Sequence, residues 1–241
     1  MSAYAPRPED PVGFFDSGVG GRCIESAFLA LCPAECTVYI ADSANCPYGN
    51  KPPEEVRELA FGHVRTLLAA RCKLVVVACN TATAAAIDAL RAAFPSVPFV
   101  GMEPAVKPAA LHSKTGVVGV LATAGTFQGR LYRETCERFA KGTTVLAAVA
   151  DEFVELVERG ETDGPRAESA VRARVEPLLA AKADHLVLGC THFPHLKPLI
   201  EKVVAGRAEI VDPAPAVARR IRAVLADRGL LATAEHFALA K

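Results

Sequence analysis

The stretch Leu188-Gly189-Cys190-Thr191-His192 follows a short apolar run and precedes a segment with helical spacing. A second stretch, Ala78-Cys79-Asn80-Thr81, has the same arrangement in the first half of the chain. Short runs of Val and Leu, such as those before each cysteine, are typical of buried strands in a parallel sheet. The sequence therefore predicts the same local structure twice: a cysteine at the carboxyl end of a parallel strand, directly before a helix.

Strands and helices alternate along the whole chain in two similar halves, which predicts an α/β fold with parallel sheets. We expect two pseudo-symmetric α/β domains with a ligand cleft between them, because open α/β sheets bind ligands at the carboxyl ends of their strands. The expected N-terminal domain combines residues 1–100 with residues 212–241 and carries Cys79. The expected C-terminal domain is residues 101–211 and carries Cys190.

The apolar segments predict about eight strands, and each is followed by a break that predicts a turn or a helix start. The predicted strands are residues 11–15, 37–41, 74–77, 97–101, 115–121, 143–149, 185–188 and 209–211. The predicted helices end near residues 31, 70, 94, 139, 158, 181, 204 and 228.

Composition disfavours several classes of function. The chain has 27 basic and 27 acidic residues and no basic run, so neither nucleic acid nor a membrane surface is an expected partner. It lacks Trp and has only 6% aromatic residues, which disfavours a platform for stacking bases. Residues 1–11 do not resemble a signal peptide, and no apolar run could cross a bilayer. Eight cysteines without a secretion signal predict reduced thiols and a cytoplasmic location.

The placement of Cys79 and Cys190 suggests reactive thiols. The positive end of a helix stabilises a thiolate, so we expect a lowered pKa for both. Two such thiols facing one ligand would supply acid/base groups on its opposite sides. The alternative is that each is a buried structural cysteine, since free Cys is among the most buried residue types. The other cysteines are interpreted as structural or incidental: Cys23, Cys32, Cys36, Cys46, Cys72 and Cys136.

Asp16-Ser17-Gly18-Val19-Gly20-Gly21 forms a glycine-rich turn that departs from the dinucleotide pattern G-x-G-x-x-G. Its glycines would allow close approach of the backbone to a ligand, and its N–H groups suit a carboxylate. An equally weighted alternative is a tight strand-to-helix turn in which Asp16 and Ser17 only cap the helix.

Three further hypotheses remain open. Cys79, Cys190, His192 and His195 offer a Cys₂His₂ set for zinc, but no close C-x-x-C pair accompanies them, so we predict no metal. In a thiol hydrolase, His192 would have to act on Cys190. We expect that a spacing of two residues prevents this, and a hydrolase would not need a second matched cysteine. A non-catalytic amino-acid-binding protein would need neither cysteine.

Four motifs, taken together, resemble the glutamate racemase branch of the cofactor-independent aspartate/glutamate racemases. They are Asp16-Ser17-Gly18-Val19-Gly20-Gly21, Pro47-Tyr48-Gly49, Ala78-Cys79-Asn80-Thr81 and Gly189-Cys190-Thr191-His192-Phe193-Pro194. The glycine loop and the Pro-Tyr-Gly turn favour this branch over aspartate or hydantoin racemases. The resemblance covers most of the chain, from about residue 12 to residue 212.

The resemblance implies a homodimer that interconverts L- and D-glutamate without a cofactor or metal and supplies D-glutamate for peptidoglycan. It implies that Cys79 acts on the D-enantiomer with help from Asp16, and that Cys190 acts on the L-enantiomer with help from Glu158 and His192. By the same resemblance, the substrate is held by Asp16, Ser17, Tyr48, Gly49, Asn80, Thr81, Thr123, Thr191 and His192.

The chain departs from the family pattern in a few places. Ala150-Asp151 stand where many members have Cys-Pro, which we expect to change the cleft locally but not its chemistry. His195 replaces a common aliphatic residue, and Val120 replaces a common Thr. Because the amino terminus is short, we do not expect the activator-binding extension that some members have.

Overall fold

Two parallel four-stranded sheets form the framework of the chain, in a computed structural model that describes residues 5–233. The first sheet contains β1 (Val12–Asp16), β2 (Thr37–Ala41), β3 (Leu74–Val77) and β4 (Phe99–Gly101). The second contains β5 (Val117–Ala122), β6 (Thr144–Val149), β7 (His185–Leu188) and β8 (Glu209–Val211). The predicted α/β class and all eight predicted strands are confirmed, with ends that differ by up to two residues.

The sheets are flanked by helices, most of which the sequence predicted. Those of the described residues are α1 (Arg22–Leu31), α2 (Pro53–Ala69), α3 (Asn80–Ala93), α4 (Val106–His112), α5 (Ala124–Gln128), α6 (Arg130–Phe139), α7 (Asp151–Glu158), α8 (Pro165–Ala180), α9 (Lys197–Val204) and α10 (Ala214–Asp227).

Three helical predictions need correction. Helix α4 was not predicted: it is only seven residues long, contains Pro108 and has no side-chain cap. The segment expected as one helix up to residue 139 is divided into α5 and α6, because Gly129 between them is extended, with ψ 142°. Helix α9 is preceded by a separate 3₁₀ turn, Phe193–Leu196.

The two sheets have the same topology, with strand orders β2-β1-β3-β4 and β6-β5-β7-β8. Strands β3 and β7 therefore occupy equivalent positions, each paired in parallel with the first strand of its own half. All strands within a sheet are parallel, so their carboxyl ends lie along one edge. Cys79 and Cys190 follow these equivalent strands and so reach equivalent places in the two halves.

Strands β3 and β7 are completely buried because helices cover both faces of each sheet. In the first sheet, α2 and α3 cover one face while α1 and α10 cover the other. In the second, α7, α8 and α9 cover one face, and α4 packs on the other. Each buried Val or Leu side chain stabilises the fold by about 1.5–3 kcal/mol relative to exposure. Such packing holds the strand ends, and hence the cysteines, in fixed positions.

Helix α10 follows the second sheet in sequence but packs against α1, which belongs to the first. Its buried face includes Ile221 and Leu225, which join the same core as Phe28. Helix α10 thus returns to the half of the molecule that contains β1–β4. No helix within residues 5–233 is long and apolar enough to span a membrane.

Candidate active site

Cys79 lies at the end of β3 and is the N-cap residue of α3. Its Sγ accepts a hydrogen bond from the backbone N–H of Ala82 at 3.4 Å, and its thiol donates to Ser17 Oγ at 3.6 Å. The side chain is 5% exposed. The structure therefore confirms the predicted placement of this cysteine at a helix amino terminus.

Cys190 follows β7 and is also buried. Its Sγ lies 3.8 Å from Nδ1 of His192, whose Nε2 in turn lies 2.6 Å from Oε1 of Glu158. The expectation that His192 stands too close in sequence to reach the thiol was wrong. His192 adopts helical dihedral angles (φ −73°, ψ −30°), so the chain turns back and presents the ring to Cys190.

The expectation of lowered cysteine pKa values was also wrong. Burial and, as a smaller cause, the negative charge of Asp16 together raise the pKa of Cys79 to about 12. Burial likewise raises the pKa of Cys190 well above its ordinary value. The hydrogen bonds at the helix amino terminus oppose this rise but do not cancel the loss of hydration. Both groups are therefore neutral thiols at neutral pH when the cleft holds no charged ligand.

Asp16, at the end of β1, is fully buried and connects the two halves. Its Oδ2 accepts hydrogen bonds from the backbone N–H of Gly21 at 2.6 Å and from the Thr191 hydroxyl at 3.1 Å. Its Oδ1 has no protein partner. A buried carboxylate oxygen without a partner is costly, so this atom is placed for a ligand.

Glu158 ends α7 and accepts hydrogen bonds from the other half of the molecule. The donors are the backbone N–H of Val19 at 2.8 Å and the Ser43 hydroxyl at 3.2 Å. Partial burial raises the pKa of Glu158, but hydrogen bonds from His192, Val19 and Ser43 outweigh that effect and hold it below its ordinary value. Glu158 is therefore ionised beside His192.

The glycines of the 16–21 loop are needed for close packing against these groups. A Cβ atom on Gly18 would lie 1.9 Å from Oε1 of Glu158, and one on Gly20 would lie 2.6 Å from Nδ1 of His192. Any larger residue would push the carboxylate or the imidazole aside. The glycine loop thus sets the position of the His192–Glu158 pair.

A second connection between the halves involves threonines. The Thr81 hydroxyl, at the start of α3, hydrogen-bonds to the Thr123 hydroxyl at 3.0 Å, and Thr123 hydrogen-bonds to Thr126 at the same distance. A Cβ atom on Gly125 would lie 2.8 Å from Thr81. The Thr81 and Thr123 predicted as substrate-holding residues are therefore brought together.

Asn80 is 3% exposed, and neither its amide nitrogen nor its amide oxygen has a protein partner. Unpaired buried polar atoms are rare in folded proteins and call for a ligand or water. Asn80 directly follows Cys79 in the chain, and the Asp16 carboxylate is close enough to that thiol to raise its pKa. The cleft therefore offers one amide donor and two oxygen acceptors for a polar ligand.

Tyr48 and Gly49 differ in the contacts that they make around the site. The Tyr48 side chain is buried and its hydroxyl donates to Oδ2 of Asp42 at 2.5 Å. Gly49 packs so closely against Thr123 that a Cβ atom would lie 3.0 Å from it. A substrate contact from Tyr48 would thus use its ring, its backbone or its hydroxyl oxygen as an acceptor, because the hydroxyl proton is donated to Asp42.

Cys46 was interpreted as incidental, but the structure places it beside the candidate site. Each of three residues, Cys46, Glu158 and His192, offers one potential ligand atom. These three atoms lie within 4.8 Å of one another. The sequence signal was its position directly before the Pro47-Tyr48-Gly49 motif. A cavity of about 180 Å³ opens beside this group and is lined by Ser43, Cys46, Pro47, Val154, Glu155, Glu158 and Arg159.

The zinc set considered from the sequence is not assembled in the structure. His195 is neither a ligand nor simply solvated, because its Nε2 hydrogen-bonds to the carbonyl of Gly20 at 3.2 Å. Within residues 5–233, the group with ligand-like spacing is Cys46, Glu158 and His192.

A family model described as Asp/Glu/Hydantoin racemase matches residues 22–221. The chain is 46% identical over 221 residues to a glutamate racemase of Roseiflexus sp. (strain RS-1), covering 92% of this chain and 81% of that protein.

Two solved structures with bound ligands are also similar. One is glutamate racemase from Francisella tularensis subsp. tularensis SCHU S4 in complex with D-glutamate (TM-score 0.82, 27% identity, 94% of this chain and 84% of that chain). The other is Escherichia coli glutamate racemase in complex with L-glutamate and the activator UDP-MurNAc-ala (TM-score 0.82, 36% identity, 91% and 83%). By sequence and by fold, the chain belongs to the Asp/Glu/Hydantoin racemase family, and the three relatives described above are glutamate racemases.

Proposed function

We propose that this chain interconverts L- and D-glutamate without a cofactor, using Cys79 and Cys190 as acid/base groups on opposite faces of the α-carbon. The observation that carries the proposal is the pair of buried thiols at equivalent strand ends, each with its own carboxylate system. Asp16 accompanies Cys79, and the His192–Glu158 pair accompanies Cys190. Groups on both sides let a proton leave one face of the carbon while another proton arrives at the opposite face.

The raised thiol pKa values fit a substrate that carries a positive charge. A thiolate is unfavourable in the empty, buried site, but the ammonium group of an amino acid would lower its cost. The Oδ1 atom of Asp16 and the amide oxygen of Asn80 lack partners and can accept hydrogen bonds from that ammonium. The amide nitrogen of Asn80 can donate to a carboxylate.

In the proposed reaction, one cysteine as thiolate removes the α-proton, and the other as thiol donates a proton to the opposite face. The carbanion that develops between these steps is stabilised by fixed N–H and hydroxyl donors in a cleft with little water. Each turnover leaves the first cysteine protonated and the second ionised, which is the state that the reverse reaction requires.

The two cysteines have opposite stereochemical roles in this proposal: Cys190 removes the proton of L-glutamate and Cys79 that of D-glutamate. Asp16 assists Cys79, while His192 and Glu158 assist Cys190. The residues proposed to hold the substrate are Asp16, Ser17, Tyr48, Gly49, Asn80, Thr81, Thr123, Thr191 and His192.

Glutamate is favoured over aspartate because the similar racemases from F. tularensis and E. coli were solved with D- and L-glutamate. We further propose a homodimer that supplies D-glutamate for peptidoglycan in the cytoplasm. The proposed domains are residues 1–100 with 212–241, and residues 101–211. The packing of α10 on α1 supports this division, and residues 1–4 and 234–241 lie outside the described part.

The test is a racemisation assay on EDTA-treated protein with L-glutamate and, in parallel, L-aspartate, followed by circular dichroism. We expect the signal of glutamate to decay to zero and that of aspartate to persist. Cys136→Ser, which removes a half-buried thiol on α6, is the matched control and should keep the activity. Decay of the aspartate signal alone would place the chain in a different branch of the racemase family. Persistence of both signals would contradict the proposal.

A thiol hydrolase is the second candidate, because Cys190, His192 and Glu158 form the thiol–imidazole–carboxylate chain that such enzymes use. Cys79 would have no part in that reaction, so we rank it lower. Hydrolysis of an activated ester that depends on Cys190 but not on Cys79, without any racemisation, would establish it instead.

A further inference from the structure

A third cysteine, Cys46, lies beside Glu158 and His192 and has no part in the proposed racemisation. Potential ligand atoms of Cys46, Glu158 and His192 lie within 4.8 Å of one another. Thiolate sulfur, imidazole nitrogen and carboxylate oxygen are the three ligand types that zinc takes in proteins. The group thus has the chemistry of a three-ligand metal site, and the proposed mechanism accounts for His192 and Glu158 but not for Cys46 beside them.

The contacts of these residues suit a cation. Nε2 of His192 and Oε1 of Glu158 are 2.6 Å apart and share a proton, which a divalent cation can replace. The zinc–ligand distances of about 2.0–2.3 Å require these two atoms to move apart by less than an ångström. Nδ1 of His192 faces Cys190, and the Ser43 hydroxyl holds Oε2 of Glu158. Anchoring of the atoms that do not bind the metal is typical of metal sites.

The cluster is also accessible. Cys46 and Glu158 are half-buried and line a cavity of about 180 Å³, whereas His192 is buried behind them. Since a water molecule occupies about 30 Å³ of the liquid, the cavity admits a partly hydrated ion. Three protein ligands and water in the fourth position would complete a tetrahedral site.

We propose that Cys46, Glu158 and His192 form an inhibitory binding site for a thiophilic divalent cation of the zinc type. On binding, the Cys46 thiol loses its proton to water and a metal–sulfur bond forms, while the proton on Nε2 of His192 leaves that atom, for water or for Nδ1 of the same ring, and a metal–nitrogen bond replaces it. Proton loss makes the affinity rise with pH. The inhibitory part rests on the proposed function: a metal between Nε2 of His192 and Glu158 prevents the ring from passing the proton of Cys190 on to Glu158, so removal of the α-proton slows.

The site itself is tested by titrating EDTA-treated protein, kept reduced, with Co²⁺ as a spectroscopic probe. A thiolate-to-cobalt charge-transfer band should appear, and Zn²⁺ should abolish it by competition. Cys46→Ala should lose the band, whereas Cys136→Ala, a matched half-buried thiol elsewhere, should keep it. Absence of the band in the unmodified protein, or its persistence in Cys46→Ala because the metal binds Cys79 and Cys190, would overturn the proposal.

Inhibition is tested separately by measuring racemisation with increasing Zn²⁺ and then adding EDTA. We expect reversible inhibition, with Cys46→Ala keeping the basal rate and needing at least tenfold more Zn²⁺ for half inhibition. Cys46→Ser, which keeps a similar volume, should behave alike and guards against a packing defect in the alanine variant. Unchanged sensitivity in both variants would refute the inhibitory role. A protein without any racemisation would contradict the proposed function, while the cobalt titration would still decide the metal site.

Discussion

The two halves of the molecule share one sheet topology but treat their cysteines differently. Cys79 caps the 14-residue helix α3, accepts a hydrogen bond from Ala82 N–H and donates one to Ser17 Oγ. The Asp16 carboxylate is close enough to raise its pKa. Cys190 precedes only a short 3₁₀ turn and instead contacts His192, which continues to Glu158. The fold repeats the position of the thiol but not the groups around it.

The symmetry of the backbone therefore does not extend to the groups that transfer protons to and from each cysteine. Cys190 has a chain of groups that can take up and return a proton, whereas Cys79 has a carboxylate without direct contact to its sulfur. Because the two enantiomers have equal free energy, kcat/KM must nevertheless be the same in both directions. The asymmetry can therefore appear only in the separate kinetic steps.

The largest expected effect comes from replacing either thiol. Cys79→Ser and Cys190→Ser should each lower racemisation by about 10³-fold or more, because a hydroxyl is far harder to ionise than a thiol and general acid–base catalysis contributes about 10²–10⁴-fold. Circular dichroism measures the loss. A near-normal rate in either variant would refute the assignment of that cysteine.

The same variants should show which cysteine acts on which face of the α-carbon. Cys79→Ser should still exchange the α-proton of L-glutamate with solvent deuterium more than that of D-glutamate, and Cys190→Ser should show the opposite preference. Mass spectrometry of each enantiomer after incubation in deuterated water measures this. Equal exchange of both enantiomers in one variant would contradict the assignment of faces.

His192→Asn removes the group between Cys190 and Glu158 while keeping a polar side chain. We expect kcat/KM to fall about 10²-fold, equally with L- and D-glutamate. The primary isotope effect should increase more with α-deuterated L-glutamate, because only the step at Cys190 loses its assistance. A larger increase with the D-enantiomer would mean that His192 serves the other face.

Gly18→Ala tests the packing of the glycine loop against Glu158. Its Cβ atom would lie 1.9 Å from Oε1, so the carboxylate must move and the activity should fall about tenfold, less than on loss of His192. Gly62→Ala is the matched control, since no atom lies within 4 Å of its Cβ position in α2. It should leave the activity unchanged and stabilise the protein by about 0.5–1 kcal/mol.

The smallest effect concerns stability at high pH. The pKa of Cys79 is raised to about 12, so above pH 9 the unfolded chain loses this proton first and the folded state is disfavoured. Each such thiol should lower the free energy of unfolding by about 1.4 kcal/mol per pH unit in that window. Urea unfolding should show that this free energy declines less steeply with pH in Cys79→Ser than in the unmodified protein. Equal declines in the two proteins would contradict the burial argument.

The fold could be predicted from the sequence because its determinants are local. Runs such as Leu74–Val77 specify buried parallel strands whatever surrounds them, and α8 begins at a proline and has regular apolar spacing. Helix α4 was missed because its seven residues include Pro108 and owe their stability to packing on the second sheet. Such tertiary support leaves little pattern in the sequence.

The site was predicted less completely. The position of Cys79 followed from the strand and helix around it, but the direction of its pKa shift depends on burial, which a local pattern does not show. The contact between His192 and Cys190 depends on the dihedral angles of one turn. Cys46 reaches Glu158 and His192 from a loop in the other half of the chain, so no spacing in the sequence indicates that cluster.

The most direct test of the two-cysteine account is the position of the label in the first turnovers of L-glutamate in deuterated water. Two bases on opposite faces predict that newly formed D-glutamate carries deuterium at its α-carbon, while the remaining L-glutamate carries almost none. Mass spectrometry of the separated enantiomers at low conversion measures both. Protium retained in the D-product would show that one group moves the proton between faces, and the central claim would be wrong.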